Sequence, residues 1–166
     1  MELLIVRHGK AGDSEEWIQS GKSDDLRPLT EKGVVEFGEA SSALVQKGLQ
    51  IHRVVSSPLV RAYQTAEILA ENFEVKRVEV IPELRPWTDF QTFGAWLAKQ
   101  PSEHKIALVG HEPHLSQLAS WLMTGRSEPI LFFKKGGMAH LTTESAPKPG
   151  AFILNWHLQP KLLIEN

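Results

Sequence analysis

The sequence predicts an α/β domain of three layers, with helices on both faces of a mixed, mainly parallel sheet. Three observations lead there: apolar runs of strand length, segments of helical period between them, and loss of that period toward the carboxyl end. With 166 residues the chain is sized for one hydrophobic core, and it is expected to form a single domain over residues 1–166.

Leu3-Leu4-Ile5-Val6 is the first strand, apolar at every position as burial on both faces requires, and it stops at Arg7-His8-Gly9. Lys10 to Arg27 is polar, matches neither period, and predicts an irregular functional loop tethered by Trp17. Thr30 is placed to cap a helix running to about Lys47, with Val34, Phe37, Ser41, Leu44 and Val45 inward and Gly48 ending it. A strand over Arg53 to Ser56 follows. Ser57 then serves as cap and Pro58 as first residue of a helix that ends near Asn72 and holds Arg61 in its first turn.

Val78, Val80 and Ile81 mark another strand. A loop through Pro82 and Pro86 leads to a helix from about Asp89, capped by Thr88 or Asp89, with Phe93, Trp96 and Leu97 inward. Ile106 to Val109 is a second buried strand, halting at Gly110-His111 before a helix from roughly Pro113 to Thr124 that Gly125 ends. Beyond Pro129, Met138 to Thr143 and Phe152 to Leu158 look like an antiparallel pair at one edge.

Eighteen Lys and Arg against twenty Asp and Glu give a net charge of −2, which argues against a polycationic nucleic-acid binder. The 42% hydrophobic and 23% charged content argues against disorder. With no cysteine there are no disulfides, thiolate metal sites or cysteine nucleophile. Met1 to Val6 is a short apolar run that meets Arg7 at its far end, the reverse of a signal peptide, and no segment reaches membrane-spanning length. A cytoplasmic protein without membrane or nucleic-acid partners is expected.

Three strand exits carry polar residues: Arg7 and His8 after the first strand, Ser56 to Arg61 after the second, and His111 after the strand at Ile106. Carboxyl ends of parallel strands share one edge, where ligand clefts form. Arg7 and Arg61 offer forks of donors for the oxygens of an anion, and helix starts near Pro58 and Pro113 add positive dipole ends. Cationic neighbours disfavour protonation of His8 and His111, and a neutral imidazole is a nucleophile. The pattern predicts phosphoryl transfer through a covalent phosphohistidine, with neither cofactor nor metal.

At these residues the chain resembles the histidine phosphatase superfamily, also called phosphoglycerate-mutase-like. The resemblance rests on Arg7-His8-Gly9, on Ser56-Ser57-Pro58-Leu59-Val60-Arg61-Ala62-Tyr63-Gln64-Thr65-Ala66, and on Val109-Gly110-His111-Glu112-Pro113. Arg27-Pro28-Leu29-Thr30, Pro82-Glu83-Leu84 and the run from Gly110 to Ser116 are similar to its SixA-type branch, the phosphohistidine phosphatases. The resemblance implies that His8 attacks phosphorus, that Arg7 and Arg61 hold the equatorial oxygens, and that His111 donates a hydrogen bond to them. It also implies phosphate contacts for Gly9 and Arg27.

The substrate it implies is a phosphorylated protein, such as a histidine-containing phosphotransfer domain of a signalling relay. The alternatives are a small phosphate ester at the same site, or a module that recognises phosphate without turnover. The mutase branch carries a glutamate acid in a longer insertion that this chain lacks. A P–N bond releases imidazole and needs a weaker acid than an alkoxide does. Glu83 and Asp89 are the carboxylates expected over the cleft; either can serve as general acid, and each can instead cap a helix or face solvent. His111-Glu112-Pro113-His114 fails as a zinc-protease motif because the histidines are three apart with a proline between. Lys134-Lys135-Gly136-Gly137 reads as a basic turn or an anion nest.

Overall fold

The computed structural model describes residues 1–164. In chain order the elements are β1 (Glu2–Arg7), α1 (Ser14–Gln19), α2 (Glu31–Gln46), β2 (Arg53–Ser56), α3 (Val60–Asn72), β3 (Val78–Val80), α4 (Phe90–Leu97), β4 (Lys105–Gly110), α5 (His114–Thr124), β5 (Met138–Thr142) and β6 (Ile153–Leu158). The strands form one sheet in the order β3-β2-β4-β1-β5-β6. β3, β2, β4 and β1 pair in parallel, whereas β5 runs antiparallel to both β1 and β6. The sheet is mixed and mainly parallel, with helices on both faces.

Alternation along the central strands creates the three layers. Leu3, Ile5, Ile106 and Leu108 point toward α4 and α5, where they pack with Phe93, Leu97, Leu115 and Leu118. Leu4, Val6, Ala107 and Val109 point toward α2 and α3 and meet Phe37, Leu44, Ala66 and Leu69. Leu3, Leu4, Ile5 and Val6 are each 0% exposed, so β1 is buried on both faces, as its unbroken apolar run predicts. Each such side chain contributes about 1.5–3 kcal/mol by leaving water. The strand that delivers Arg7 and His8 is therefore fixed by core packing on both of its faces.

Four local expectations are revised. The segment from Lys10 to Arg27 is ordered into α1 and a 3₁₀ turn at Asp24–Leu26, nucleated by side-chain caps from Asp13 and Ser23. Both are too short for a hydrophobic period to show. Trp17 ties this segment to itself, its indole N–H donating to the Ser23 carbonyl at 2.9 Å. In α2 the inward stripe is Gly33, Phe37, Ala40, Ser41 and Leu44, leaving Val34 and Val45 exposed. The stripe is rotated because Gly33 abuts the loop after His8: a Cβ on it would lie 2.1 Å from the Lys10 carbonyl oxygen.

Helix α3 begins at Val60, with Leu59 as its N-cap, so Ser57 and Pro58 lie outside it. Ser57 is engaged by His111 instead. Trp96 is half-buried, against full burial of Phe93 and Leu97 on the same helix. Among the described residues, no helix is long and apolar enough to cross a membrane.

Candidate active site

Parallel pairing brings the ends of β1, β2 and β4 to one edge, and backbone hydrogen bonds continue past the strands to hold their exits together. The His8 N–H donates to the Gly110 carbonyl at 3.1 Å, and the Ser57 N–H to the Val109 carbonyl at 3.0 Å. From the antiparallel side, Gly136 N–H donates to the His8 carbonyl at 2.9 Å. Lys134 to Gly137 is thus a turn that braces the end of β1. Above this edge opens a cleft of about 620 Å³ whose walls include Arg7, His8, Arg27, Arg61 and His111.

His8 is 5% exposed, and its Nδ1 lies 2.7 Å from the Gly9 carbonyl oxygen. A carbonyl accepts and cannot donate, so Nδ1 carries the proton and Nε2 keeps its lone pair. Burial first, and then the charges of Arg61, Arg7 and Arg27, push the His8 pKa down to about 3, against the opposing hydrogen bond to Gly9. Burial, His8 and Arg61 push the His111 pKa down to about 2. Both rings are neutral at pH 7. Cationic neighbours contribute as expected, but burial is the larger cause.

The two imidazoles stand 5.2 Å apart between ring centroids. Nε2 of His111 is 2.8 Å from the Ser57 hydroxyl. When that hydroxyl donates, Nδ1 of His111 bears the proton. Nδ1 of His111 and the Nε atoms of Arg7 and Arg61 are buried without a hydrogen-bond partner among the described residues. Buried donors are almost always satisfied, so this concentration at one cleft marks groups reserved for a ligand that accepts.

The guanidinium groups are held by acceptors at their backs. Arg7 donates to the Phe133 carbonyl at 2.7 Å. Asp24 joins the other two: it accepts from Arg27 Nε at 2.7 Å and pairs with Arg61 Nη2 at 3.0 Å, while its backbone carbonyl accepts from Arg61 Nη1. Burial works against the Asp24 carboxylate, but the Arg27 hydrogen bond and the two cationic charges outweigh it and hold its pKa below the usual carboxylate value. It remains an anion at neutral pH.

Arg7, His8, Arg27, Arg61 and His111 meet in one cleft. Gly9 does not line it; its N–H donates to Thr65 Oγ at 3.0 Å and its carbonyl takes His8 Nδ1, so it orients the ring rather than a phosphate. Neither expected acid lines it. Asp89 caps α4 through the Thr92 N–H, and Glu83 lies in the 3₁₀ turn Pro82–Leu84 with one carboxylate oxygen buried. The carboxylates in the wall are Asp24, Asp25 and Glu112. Glu112 accepts from Ser116 Oγ at 2.6 Å and from Phe133 N–H at 2.8 Å, tying the start of α5 to the segment that holds Arg7. His111 and His114 are directed to separate partners, Ser57 and the Thr88 carbonyl.

Sequence reasoning gave no site role to Asp24, Thr65 or Glu112, and it gave Ser57 a helix cap rather than its contact with His111. Asp24 left one signal, an acid three residues before an arginine, which is salt-bridge spacing on a helical turn. Thr65 left another, lying four residues beyond Arg61 on the same helix; its hydroxyl donates to the Arg61 carbonyl and accepts from Gly9.

The sequence profile of the histidine phosphatase superfamily (branch 1) matches residues 3–104. An uncharacterized protein of Picosynechococcus sp. is 36% identical over 148 residues, covering 88% of this chain and 87% of that one. The phosphohistidine phosphatase SixA of Escherichia coli K12 is 29% identical over 163 residues, 96% of this chain and 94% of its own. A solved structure of the protein histidine phosphatase SixA complexed with tungstate superposes with a TM-score of 0.83 at 30% identity, over 98% of this chain and 99% of that one. The fold, the profile and these relatives agree: the chain belongs to the histidine phosphatase superfamily and is a phosphatase.

Proposed function

We propose that this phosphatase hydrolyses a phosphohistidine on a protein through a covalent phosphohistidine at His8. The observation that carries the reading is the neutral His8 ring, its Nδ1 committed to the Gly9 carbonyl and its Nε2 lone pair available beside Arg7, Arg61 and His111. Nε2 of His8 attacks phosphorus and forms a P–N bond. The substrate's P–N bond breaks, and its electron pair leaves on the substrate imidazole, which takes its proton from water rather than from a carboxylic acid of the cleft. Water then attacks the phosphorus of phospho-His8 and releases phosphate and the free ring. Arg7 and Arg61 stabilise the equatorial oxygens as negative charge spreads over them, and His111 donates to one of them from Nδ1.

The preference for a P–N bond is supported by what the carboxylates of the cleft do. Asp24 is an anion shared by two arginines, Asp25 is paired with Arg85, and an oxygen of Glu112 accepts two hydrogen bonds. None of these contacts directs a carboxylic acid at an alkoxide leaving group. An imidazole leaves without one.

The test is transfer of label from a ³²P-phosphorylated histidine phosphotransfer domain. The wild type releases phosphate and carries a transient acid-labile label; His8→Ala loses turnover by at least ~10⁴-fold and takes no label. Activity is expected to survive chelator. A higher kcat/KM on a simple alkyl phosphate would assign the site to small esters, and retained turnover in His8→Ala would overturn the mechanism.

A further inference from the structure

Beside the cleft, Arg85-Pro86-Trp87-Thr88 forms a tight turn in which the Thr88 N–H donates to the Arg85 carbonyl at 3.3 Å. Trp87 occupies its third position with φ of 65°. That is the left-handed conformation for which turns use glycine or asparagine, and a bulky residue there is held under backbone strain. Nothing in the fold offsets this through burial of the indole: Trp87 is 88% exposed, the highest value among the exposed large hydrophobic residues, although it lines the mouth of the cleft. Fully covering such a ring buries about 150–250 Å².

The turn is braced from beneath. His114 Nε2 lies 3.1 Å from the Thr88 carbonyl, the Thr88 hydroxyl donates to the Pro82 carbonyl at 3.1 Å, and Phe90 stacks on His114 at 5.0 Å. The strained indole is thus displayed on a fixed base. His8, by contrast, is recessed at 5% exposure, so a side chain that reaches its Nε2 brings whatever bears that side chain against the cleft mouth.

We propose that Trp87 is a specificity-determining residue that docks the surface of the folded protein carrying the phosphohistidine. This rests on the phosphohistidine reading above and extends it from the scissile bond to the body of the substrate. A small phosphorylated compound bound at His8 sits below the lip and leaves the outer face of the indole in water; a protein covers it. Backbone strain kept at an exposed site beside a reaction centre is the pattern expected where a side chain's direction matters to binding.

The experiment compares wild type, Trp87→Ala, Trp87→Phe and Trp87→Gly on three substrates: a phosphorylated histidine phosphotransfer domain, phosphoramidate, and p-nitrophenyl phosphate. Trp87→Ala is expected to raise KM for the phosphorylated domain about tenfold with kcat within about twofold, a change typical of one docking aromatic. Phosphoramidate, which keeps the P–N bond and removes the protein, is expected to show no change. Trp87→Phe restores most of the KM. Trp87→Gly melts no lower than wild type, since glycine relieves the strain, yet shows the raised KM.

An unchanged KM for the phosphorylated domain in Trp87→Ala overturns the proposal, as do equal losses on that domain and on phosphoramidate. A loss on p-nitrophenyl phosphate as large as on the domain makes Trp87 a platform for small aromatic ligands and overturns it as well. Wild-type enzyme that turns over the esters but neither P–N substrate overturns the parent reading, and the docking assignment with it.

Discussion

The two walls of the cleft are built by different physics. The inner wall is the strand-exit edge, where Arg61, His8 and His111 are each at most 5% exposed and are set by parallel backbone pairing and by hydrogen bonds of Gly9, Thr65 and Ser57. The outer wall consists of Asp25 and Arg85 to Thr88, joined across the mouth by an exposed Arg85 to Asp25 ion pair of 3.1 Å. Buried donors with fixed neighbours keep their full strength toward a charged group. An exposed pair is screened by water and salt and holds two loops only weakly. On the proposed function, the contrast separates the wall that performs chemistry from the wall that meets the substrate's exterior.

Arginine removal exposes the largest difference. Arg61→Ala is expected to lower kcat/KM on phosphoramidate by about 10²–10³-fold, because in the proposed mechanism it deletes a preorganised donor to the transferred oxygens. Arg85→Ala on the outer wall is expected to change the same constant by less than about fivefold. Comparable losses in steady-state assays of the two variants would dissolve the distinction.

A smaller effect is expected from the packing behind the inner wall. Gly33→Ala introduces a Cβ that meets the Lys10 carbonyl oxygen, so helix α2 or the loop after His8 must shift. Thermal melts should show a loss of about 1–3 kcal/mol, and kcat should fall with it because Lys10 follows His8 and Gly9 directly. Loss of stability with kcat unchanged would mean that the loop tolerates displacement.

A third effect is read through pH. The pKa values of His8 and His111 are lowered in the fold to about 3 and about 2. Below about pH 6.5 the unfolded chain therefore takes up protons that the folded chain excludes. Stability falls as pH drops from about 6.5 toward 3, and each ring adds a slope of up to about 1.4 kcal/mol per unit in that window. Urea unfolding at pH 6 and pH 4.5 should give a shallower pH dependence for His111→Gln than for wild type. Identical slopes would place a charged imidazole in the inner wall.

The inner wall was largely legible in the residues. Arg7-His8 and His111 follow unbroken apolar runs, and Arg61 follows a strand by five residues, so once the strands are parallel these groups share an edge whatever their sequence separation. The outer wall was not. Glu83 and Asp89 were placed over the cleft by their position in a loop, but Asp89 is turned toward the α4 amino end, where it satisfies the Thr92 N–H, and Glu83 is folded into a 3₁₀ turn. The carboxylates that do line the cleft, Asp24, Asp25 and Glu112, owe that place to partners from 3 to 60 positions away. The segment of α1 gave no periodic signal because six residues make less than two turns.

What the amino-acid order alone determined is the layering and the set of polar residues at the strand exits: hydrophobic period selects strand or helix, and strand direction gathers the polar residues that end each strand. What the tertiary structure alone decided is each side chain's electrical and hydrogen-bonding state. The proton on Nδ1 of His8, the depressed pKa of both imidazoles and the pairing of Arg27 with Arg61 through Asp24 depend on burial and on acceptors brought from distant segments. Such terms act between atoms a few ångströms apart in space, and linear spacing carries no measure of that distance.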